Sequence, residues 1–378
     1  MPAARAPASH PAASESAEPP AVPAPLSLDL IDDFNPPRPA PTETIDAPGA
    51  RWDTALGGLS GLCYDRASST LYAISDLPKR FEPRLYAFDV RLTESTLQVS
   101  PRAVHPLYES RPSGMIEDLD AESITGDGHG GFYVGTENGF DRPKQPAPRI
   151  LRLQRDGLIT AALPLPEAYV PATEPTPRGT RSNRAFEGLA LSPSGRWLSA
   201  IVESTLEQDG EEATFEHGAS VRLARWDLTT RGEPAEYFYP IEPMVRPASG
   251  TPSGGNNGVS ELLSLDDRRL LVLERGYVPL AEGQGPSTIR IFETLLPEAP
   301  PLPGEPPPVL TKRLVLDFDT IVPKLEPGQQ SLDNMEGMTL GPALPSGDPS
   351  LLVVTDDNFR AEQRTVFIAF RVRGLSGT

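Results

Sequence analysis

The stretch from residue 183 to residue 203 reads NRAFEGLALSPSGRWLSAIVE and has the pattern of a β-hairpin. Apolar side chains alternate with smaller or polar ones on both sides of a turn at Pro193, Ser194 and Gly195, residue types that favour tight turns. The first predicted strand begins beside Glu187 and the second ends at Glu203. How often this hairpin recurs in the chain therefore decides the predicted fold.

Four similar hairpins occur elsewhere in the chain, at 58–76, 120–137, 259–274 and 335–356. We aligned the five copies on the residues that open them, which are Ser60, Glu122, Glu187, Glu261 and Glu336. Successive copies are then 62 to 75 residues apart. A repeat of that length is too long for one hairpin and fits a four-stranded propeller blade with long loops. The gaps also contain alternating segments that predict third and fourth strands, such as 84–90 and 99–107.

The last repeat offers only three candidate strands, and the third of them is the segment 365–372. An unpaired candidate strand, 26–31, precedes the first repeat. Pairing between these two segments would close the ring and remove an open sheet edge. The sequence therefore predicts an all-β protein, a β-propeller of four-stranded blades closed by an N-terminal strand. Five blades are favoured, and six are the alternative.

The domain organisation follows from the same repeats. Residues 26–378 are expected to form a single propeller domain. Residues 1–25 are rich in Ala, Pro and Ser, and this composition predicts a disordered leader. The leader lacks the apolar core of a signal peptide, which leaves the cytoplasm open as a compartment.

The composition excludes several classes of function. Acidic residues outnumber basic ones by 52 to 34, and the net charge of -18 argues against nucleic-acid binding and favours a cationic partner. The single cysteine, Cys63, excludes an intramolecular disulfide and a cysteine-rich zinc site. No run of about 18 apolar residues is present, so no membrane span is expected.

The aligned repeats place acids at two recurring positions. In a propeller blade, the start of the innermost strand and the end of the second strand lie at the same mouth of the central channel. The strand-one positions are Ser60, Glu122, Glu187, Glu261 and Glu336. The strand-two positions are Asp76, Glu137, Glu203, Glu274 and Asp356. Nine of these ten residues are carboxylates, so the sequence predicts two rings of acids at one mouth.

Converging carboxylates repel one another, because two like charges about 4 Å apart cost about 4 kcal/mol at an effective dielectric constant near 20. Such a cluster needs a bound cation or protonated acids with raised pKa values. A ligand set made only of oxygens favours Ca²⁺, with Mg²⁺ as the alternative. We therefore predict that the nine acids are metal ligands. The alternative is a structural role, in which they accept hydrogen bonds from backbone N–H groups and tie the blades together.

Arginines lie close to the predicted acid rings in sequence. Arg80, Arg184, Arg275 and Arg360 are the candidates for binding a substrate, since the planar guanidinium group pairs with phosphate or carboxylate oxygens. Ordinary pairing with the neighbouring acids is the alternative. Glu187, Glu261 and Glu336 are the candidate catalytic residues, as general base or as ligands of the metal. The sequence has no Gly-x-Ser-x-Gly motif, which counts against a serine esterase.

Three groups of motifs resemble one known family. They are Gly58–Leu62 with Ser75-Asp76, Phe186–Leu189, and Asn334–Met338 with Thr355–Asn358. Their order and spacing resemble the phytase-like family described as "esterase-like activity of phytase", from about residue 57 to residue 370. The resemblance implies a β-propeller that is exported to the periplasm or secreted and that hydrolyses phosphoric esters. It supplies no established catalytic set.

The acids, the arginines and the resemblance together lead to one functional hypothesis. The protein is expected to be a Ca²⁺-dependent hydrolase that acts on a small anionic phosphoric ester at the acid-lined mouth. Two alternatives remain open at this stage. One is a non-catalytic binding module with structural acids, and the other is a propeller that hydrolyses lactones.

Overall fold

The computed structural model describes residues 24–36, 56–75, 83–110, 114–115, 119–137, 147–173, 175–230, 232–301, 305–329, 332, 334–360 and 362–375. The predicted leader up to residue 23 lies outside this part of the chain, as do Asp76 and Arg80. Within it, helix is limited to the short 3-10 turns Glu167–Tyr169, Phe318–Thr320 and Val322–Lys324.

The strands follow one another as the repeats predict. In chain order they are β1 (Ser27–Phe34), β2 (Leu59–Asp65), β3 (Thr70–Ser75), β4 (Arg84–Leu92), β5 (Leu97–Pro106), β6 (Tyr108–Ser110), β7 (Gly114–Met115), β8 (Ala121–Gly126), β9 (Phe132–Thr136), β10 (Ile150–Leu153), β11 (Ile159–Leu163), β12 (Phe186–Leu191), β13 (Trp197–Val202), β14 (Ala219–Asp227), β15 (Ala235–Ile241), β16 (Asn256–Ser264), β17 (Arg269–Tyr277), β18 (Ser287–Leu295), β19 (Lys312–Asp317), β20 (Met335–Leu340), β21 (Ser350–Thr355) and β22 (Phe367–Arg373).

Twenty of the described strands form five four-stranded antiparallel sheets arranged as a five-bladed β-propeller, and β6 pairs with β7 in a separate two-stranded sheet. Blade 1 is β2 to β5, blade 2 is β8 to β11, blade 3 is β12 to β15, and blade 4 is β16 to β19. Blade 5 has the order β20-β21-β22-β1, so the N-terminal strand supplies its outer strand. Ser27 pairs with Arg373 and Phe34 with Phe367 along this closing strand. The prediction of five blades closed by the N-terminus is confirmed.

The hydrophobic core lies between neighbouring blades. Both faces of the inner strands are buried, so that β3 and β21 have no exposed residue. Phe88 of blade 1 meets Phe367 of blade 5 edge to face, with ring centroids 5.7 Å apart. This contact lies at the junction that the N-terminal strand closes, so aromatic packing adds to the backbone pairing there.

A β-bulge interrupts every innermost strand at the same level. In blades 1, 2, 3 and 5, the extra residue is the one singled out from the sequence, namely Ser60, Glu122, Glu187 and Glu336. In blade 4, Val259 pairs with Glu274 and Glu261 pairs with Leu273, so the extra residue is Ser260. The sequence alignment of blade 4 is therefore wrong by one residue. A bulge sets two residues against one on the partner strand and redirects the side chains beside it.

Glycine follows the bulge residue in blades 3 and 5 because neighbouring inner strands approach closely there. A Cβ atom on Gly188 would lie 2.6 Å from the backbone N of Leu262 in blade 4. A Cβ atom on Gly337 would lie 3.1 Å from the backbone N of Leu62 in blade 1. The Glu-Gly pair of the repeat thus combines a carboxylate at the mouth with close packing of blades at the channel.

Candidate functional site

Three of the predicted acids converge at one mouth of the channel. Glu137 follows β9, Glu187 is the bulge residue of β12, and Glu203 follows β13. Each of these carboxyl groups offers an oxygen atom, and the three oxygens lie within 4.8 Å of one another. The three residues are 3% to 5% exposed. We call Glu137, Glu187 and Glu203 the acid cluster.

Glu137 also belongs to a second group of acids, with Asp120 and Glu122, whose oxygens likewise lie within 4.8 Å of one another. The backbone N–H of Glu137 donates to the carbonyl oxygen of Asp120 over 2.8 Å, which holds the start of β8 against the end of β9. Sequence reasoning did not single out Asp120. It lies two residues before Glu122, directly before β8, and its carboxyl group approaches that of Glu122 beside the bulge.

Burial and mutual repulsion perturb the ionisation of the acid cluster. Burial, followed by the charges of Glu203 and Asp120, raises the pKa of Glu137 well above its usual value. Burial and the charges of Glu137, Glu203 and Glu336 do the same to the pKa of Glu187. Burial also raises the pKa of Glu203, although Arg184 and Arg275 oppose that shift. The carboxyl groups of the cluster therefore hold their protons to higher pH than an exposed glutamate does, unless a cation offsets the charge.

Neighbouring donors hold two of the cluster acids in place. The backbone N–H of Ala185 donates to Glu137 Oε1 over 2.5 Å. Arg184 Nη1 donates to Glu203 Oε2 over 2.9 Å, and Asn256 Nδ2 donates to Glu203 Oε1 over 3.3 Å. The structural role that the sequence left open is thus present in part, because these acids do tie together the ends of strands.

The opposite side of the mouth contains acids that are compensated by the protein itself. Arg275 Nη2 lies 3.2 Å from Glu336 Oε1, and Arg275 Nε donates to Ser260 Oγ over 3.3 Å. Burial raises the pKa of Glu336 to about 7, with Arg275 lowering it and Asp356 raising it. Burial likewise raises the pKa of Asp356 to about 6. Glu336 Oε2 is buried and accepts no hydrogen bond within the described residues. We call Arg275, Glu336 and Asp356 the arginine cluster.

A strained turn follows Asp356 at this mouth. Asn358 and Phe359 both adopt left-handed backbone conformations, with φ of 46° and 51°. Their N–H groups donate to the side chains of Asp356 and Asp357, over 2.8 Å and 3.0 Å respectively. Asp357 also accepts from the backbone N–H of Gly58 over 3.1 Å, which joins blade 5 to blade 1. The turn leads into Arg360, whose side chain is exposed to solvent.

Two acids that the sequence predicts at the mouth, Glu261 and Glu274, do not lie there. The bulge of blade 4 is one residue earlier than the sequence alignment assumed. Glu274 faces the outer strands, where it accepts from Tyr239 Oη over 2.8 Å and pairs with Lys312. Arg275 takes the place in the second ring that acids occupy in blades 2, 3 and 5. Glu261 lies inside the channel and is 1% exposed. Among the residues that the structure describes, the mouth therefore lacks two of the predicted acids and has the internal cation Arg275.

The acid cluster has the chemistry of a site for a hard cation. Its donors are all carboxylate oxygens, and Asp120 and Glu122 extend the set beside Glu137. A divalent ion that binds between the deprotonated carboxylates offsets the repulsion that otherwise raises their pKa values. Oxygen-only sets with irregular geometry suit Ca²⁺. The residues present therefore fit the predicted ion.

This fold and mouth define the class of the protein, a five-bladed β-propeller with an acid-lined mouth. A model of the phytase-like family, described as esterase-like activity of phytase, matches residues 54–359. The chain belongs to this family, which confirms the resemblance of the motifs.

The individual proteins and structures that match this chain are only distantly similar to it. An uncharacterized secreted protein of Arthroderma benhamiae is 26% identical over 192 residues, which cover 44% of this chain and 36% of that protein. Hydrazine synthase of Kuenenia stuttgartiensis has a TM-score of 0.34 at 13% identity, over 82% of this chain and 80% of that one. A gluconolactonase of Xanthomonas campestris has a TM-score of 0.31 at 12% identity, over 94% and 99%. Among the described residues, no helix is long and apolar enough to cross a membrane.

Proposed function

We propose that this protein is a Ca²⁺-dependent hydrolase of phosphoric esters that acts at the acid-lined mouth. The observation that carries the proposal is the acid cluster, in which three buried carboxyl groups lie within 4.8 Å of one another. Membership of a family described by esterase-like activity supports hydrolysis at the level of the family. The phosphoester substrate and the metal are inferred from the chemistry of the mouth.

In this proposal Glu137, Glu187 and Glu203 hold the ion, with Asp120 and Glu122 at its edge. Bound there, Ca²⁺ would supply positive charge against a phosphate group and acidify a coordinated water. Arg184 and Arg360 lie at the same mouth and would bind the remaining phosphate oxygens through their guanidinium groups. Arg80 stays a candidate for the same role, although it lies outside the described residues.

Glu336 is suited to moving the proton. Its pKa of about 7 places it between its charged and neutral forms near neutral pH, where a general base works best. A water attacking phosphorus would pass its proton to the Glu336 carboxylate. As the new P–O bond forms, the P–O bond to the ester oxygen would break, and that oxygen would leave as the alcohol by taking the proton from Glu336, which restores the carboxylate. Arg275 orients the carboxylate through Oε1.

The experiment compares metal binding with hydrolysis. Chelated protein is titrated with Ca²⁺ and Mg²⁺ by calorimetry and assayed on phosphomonoesters, phosphodiesters and lactones with and without the ion. We expect Ca²⁺ binding and Ca²⁺-dependent phosphoester hydrolysis, both lost in Glu187→Gln. Glu293→Gln is the matched control, because Glu293 pairs with Arg269 and Arg313 within blade 4, outside both clusters.

Three results would overturn the proposal. Full activity in chelator would remove the metal from the reaction. Turnover of lactones alone would replace the phosphoester substrate. Protein that is inactive on the whole panel would favour the binding module, whose acids tie strands together as the Ala185 and Arg184 contacts do. The secreted relative supports, for the same proposal, a location outside the cytoplasm.

A further inference from the structure

Glu261 occupies a position where blades 1, 3 and 5 have glycine. The equivalent residues directly after each bulge are Gly61, Gly188 and Gly337. At Gly188 and Gly337 an added Cβ atom would meet the neighbouring inner strand. Among these four blades, only blade 4 therefore carries a long side chain at this level, and that side chain is Glu261. Glu261 has no part in the acid cluster or the arginine cluster.

The surroundings of the Glu261 carboxylate are backbone N–H groups. Leu262 N donates to Oε1 over 2.9 Å. Burial raises the pKa of Glu261 well above its usual value, and the N–H groups of Leu62, Leu189 and Met338, which face the same carboxyl group, oppose part of that rise. Each of these three residues directly follows one of the equivalent glycines. N–H groups from the innermost strands of blades 1, 3, 4 and 5 thus point at one carboxylate, which places it on the propeller axis.

This arrangement has the character of an anion site. Buried N–H groups need acceptors, and a carboxylate provides two acceptor oxygens. Oε2 is buried and completes no hydrogen bond within the described residues, so the facing N–H groups are its available partners. A glutamine in place of Glu261 would turn its NH₂ group toward backbone N–H groups, which are also donors. An apolar side chain there would leave the N–H groups without an acceptor.

We propose that the axis of the propeller is a binding site for a small carboxylate, built from the inward N–H groups of four inner strands, and that the chain fills it with Glu261. The site is independent of the proposed hydrolase function. Its effect in the native protein is to tie four blades together beneath the mouth. When the side chain is shortened, the emptied site takes a free carboxylate of similar size, such as formate.

Chemical rescue tests this proposal. The midpoint of thermal unfolding is measured for wild type and Glu261→Ala with formate or its neutral analogue formamide, at about 100 mM in constant sodium chloride. We expect Glu261→Ala to unfold about 5 °C or more below wild type. Formate should recover a large part of that loss in a concentration-dependent way, formamide should not, and wild type should respond to neither.

Leu262→Ala is the matched control, since it shortens the next, equally buried side chain and leaves an apolar cavity that formate should not stabilise. If Glu261→Ala is insoluble, its refolding yield from urea with formate or formamide gives the same comparison. Glu261→Gln fills the site with a donor and should be destabilised without rescue. Equal rescue by formamide, rescue of Leu262→Ala, or a Glu261→Gln variant as stable as wild type would each overturn the proposal.

Discussion

The two sides of the mouth contain similar acids and neutralise them differently. In the arginine cluster, Arg275 lies 3.2 Å from Glu336 and compensates the acids from within the protein. In the acid cluster, three carboxyl groups lie within 4.8 Å of one another, and Arg184 reaches only Glu203 among them. The difference is one of degree: Arg275 pairs directly with Glu336 and acts on Glu187 and Glu203 only through its charge, so more of the repulsion in the acid cluster is left to be offset by protons or a cation. That imbalance is what makes the acid cluster a candidate site.

The largest predicted effect is that of removing the internal cation. Arg275→Met leaves Glu336 and Asp356 buried without their counter-ion, and removing one partner of a buried pair costs about 3–5 kcal/mol. We therefore expect a loss of about 3 kcal/mol in the free energy of unfolding at neutral pH, measured by urea denaturation without metal. Arg184→Met is the comparison on the other side and should cost less, because Asn256 Nδ2 still donates to Glu203 Oε1 after the substitution. Equal losses would mean that the two sides do not differ.

A smaller effect, with opposite signs in two conditions, is expected for Glu187→Gln. In chelator the variant should be more stable than wild type by about 1 kcal/mol, because it removes one of three repelling carboxyl groups. In saturating Ca²⁺ it should be less stable than wild type, because it has lost a ligand and the stabilisation that binding adds. Urea denaturation in the two buffers measures both differences. Glu336→Gln should show no such reversal, and a reversal there would place the ion beside Arg275.

A dependence of stability on pH is also expected. The pKa of Glu336 is about 7 in the folded chain against an ordinary value of 4.5, and that of Asp356 is about 6 against 3.8. The folded state therefore binds more protons than the unfolded state between these values, so stability falls as the pH rises through this range. The thermal midpoint in chelator should fall from about pH 4.5 to about pH 7. Glu336→Gln should flatten that slope, and a midpoint that rises over the same range would contradict the raised pKa values.

Much of the fold could be predicted from the residue pattern, because strand alternation and turn residues are local. The hairpin at 183–203 recurs at a regular interval, and that interval predicts five blades and an N-terminal closing strand. The same period brought Glu137, Glu187 and Glu203 into one prediction, and the structure places them together. Asp120 was missed because it lies before β8 and because the bulge at Glu122 interrupts the alternation from which its neighbours could be inferred.

Blade 4 shows where the pattern stops being sufficient. Glu261 and Glu274 were aligned with the acids of the other blades, although Gly258-Val259-Ser260 repeats the pattern of Gly58-Leu59-Ser60 in blade 1, where Ser60 is the bulge residue. A shift of one residue turns a strand side chain to the opposite face, so the two acids leave the mouth and Arg275 enters it. The alternating residues alone were enough to specify hairpins, blades and ring closure, since these depend on local periodicity. Which carboxylate faces the mouth, the axis or the outer strands depended on strand register, which is set by the packing of blades against one another.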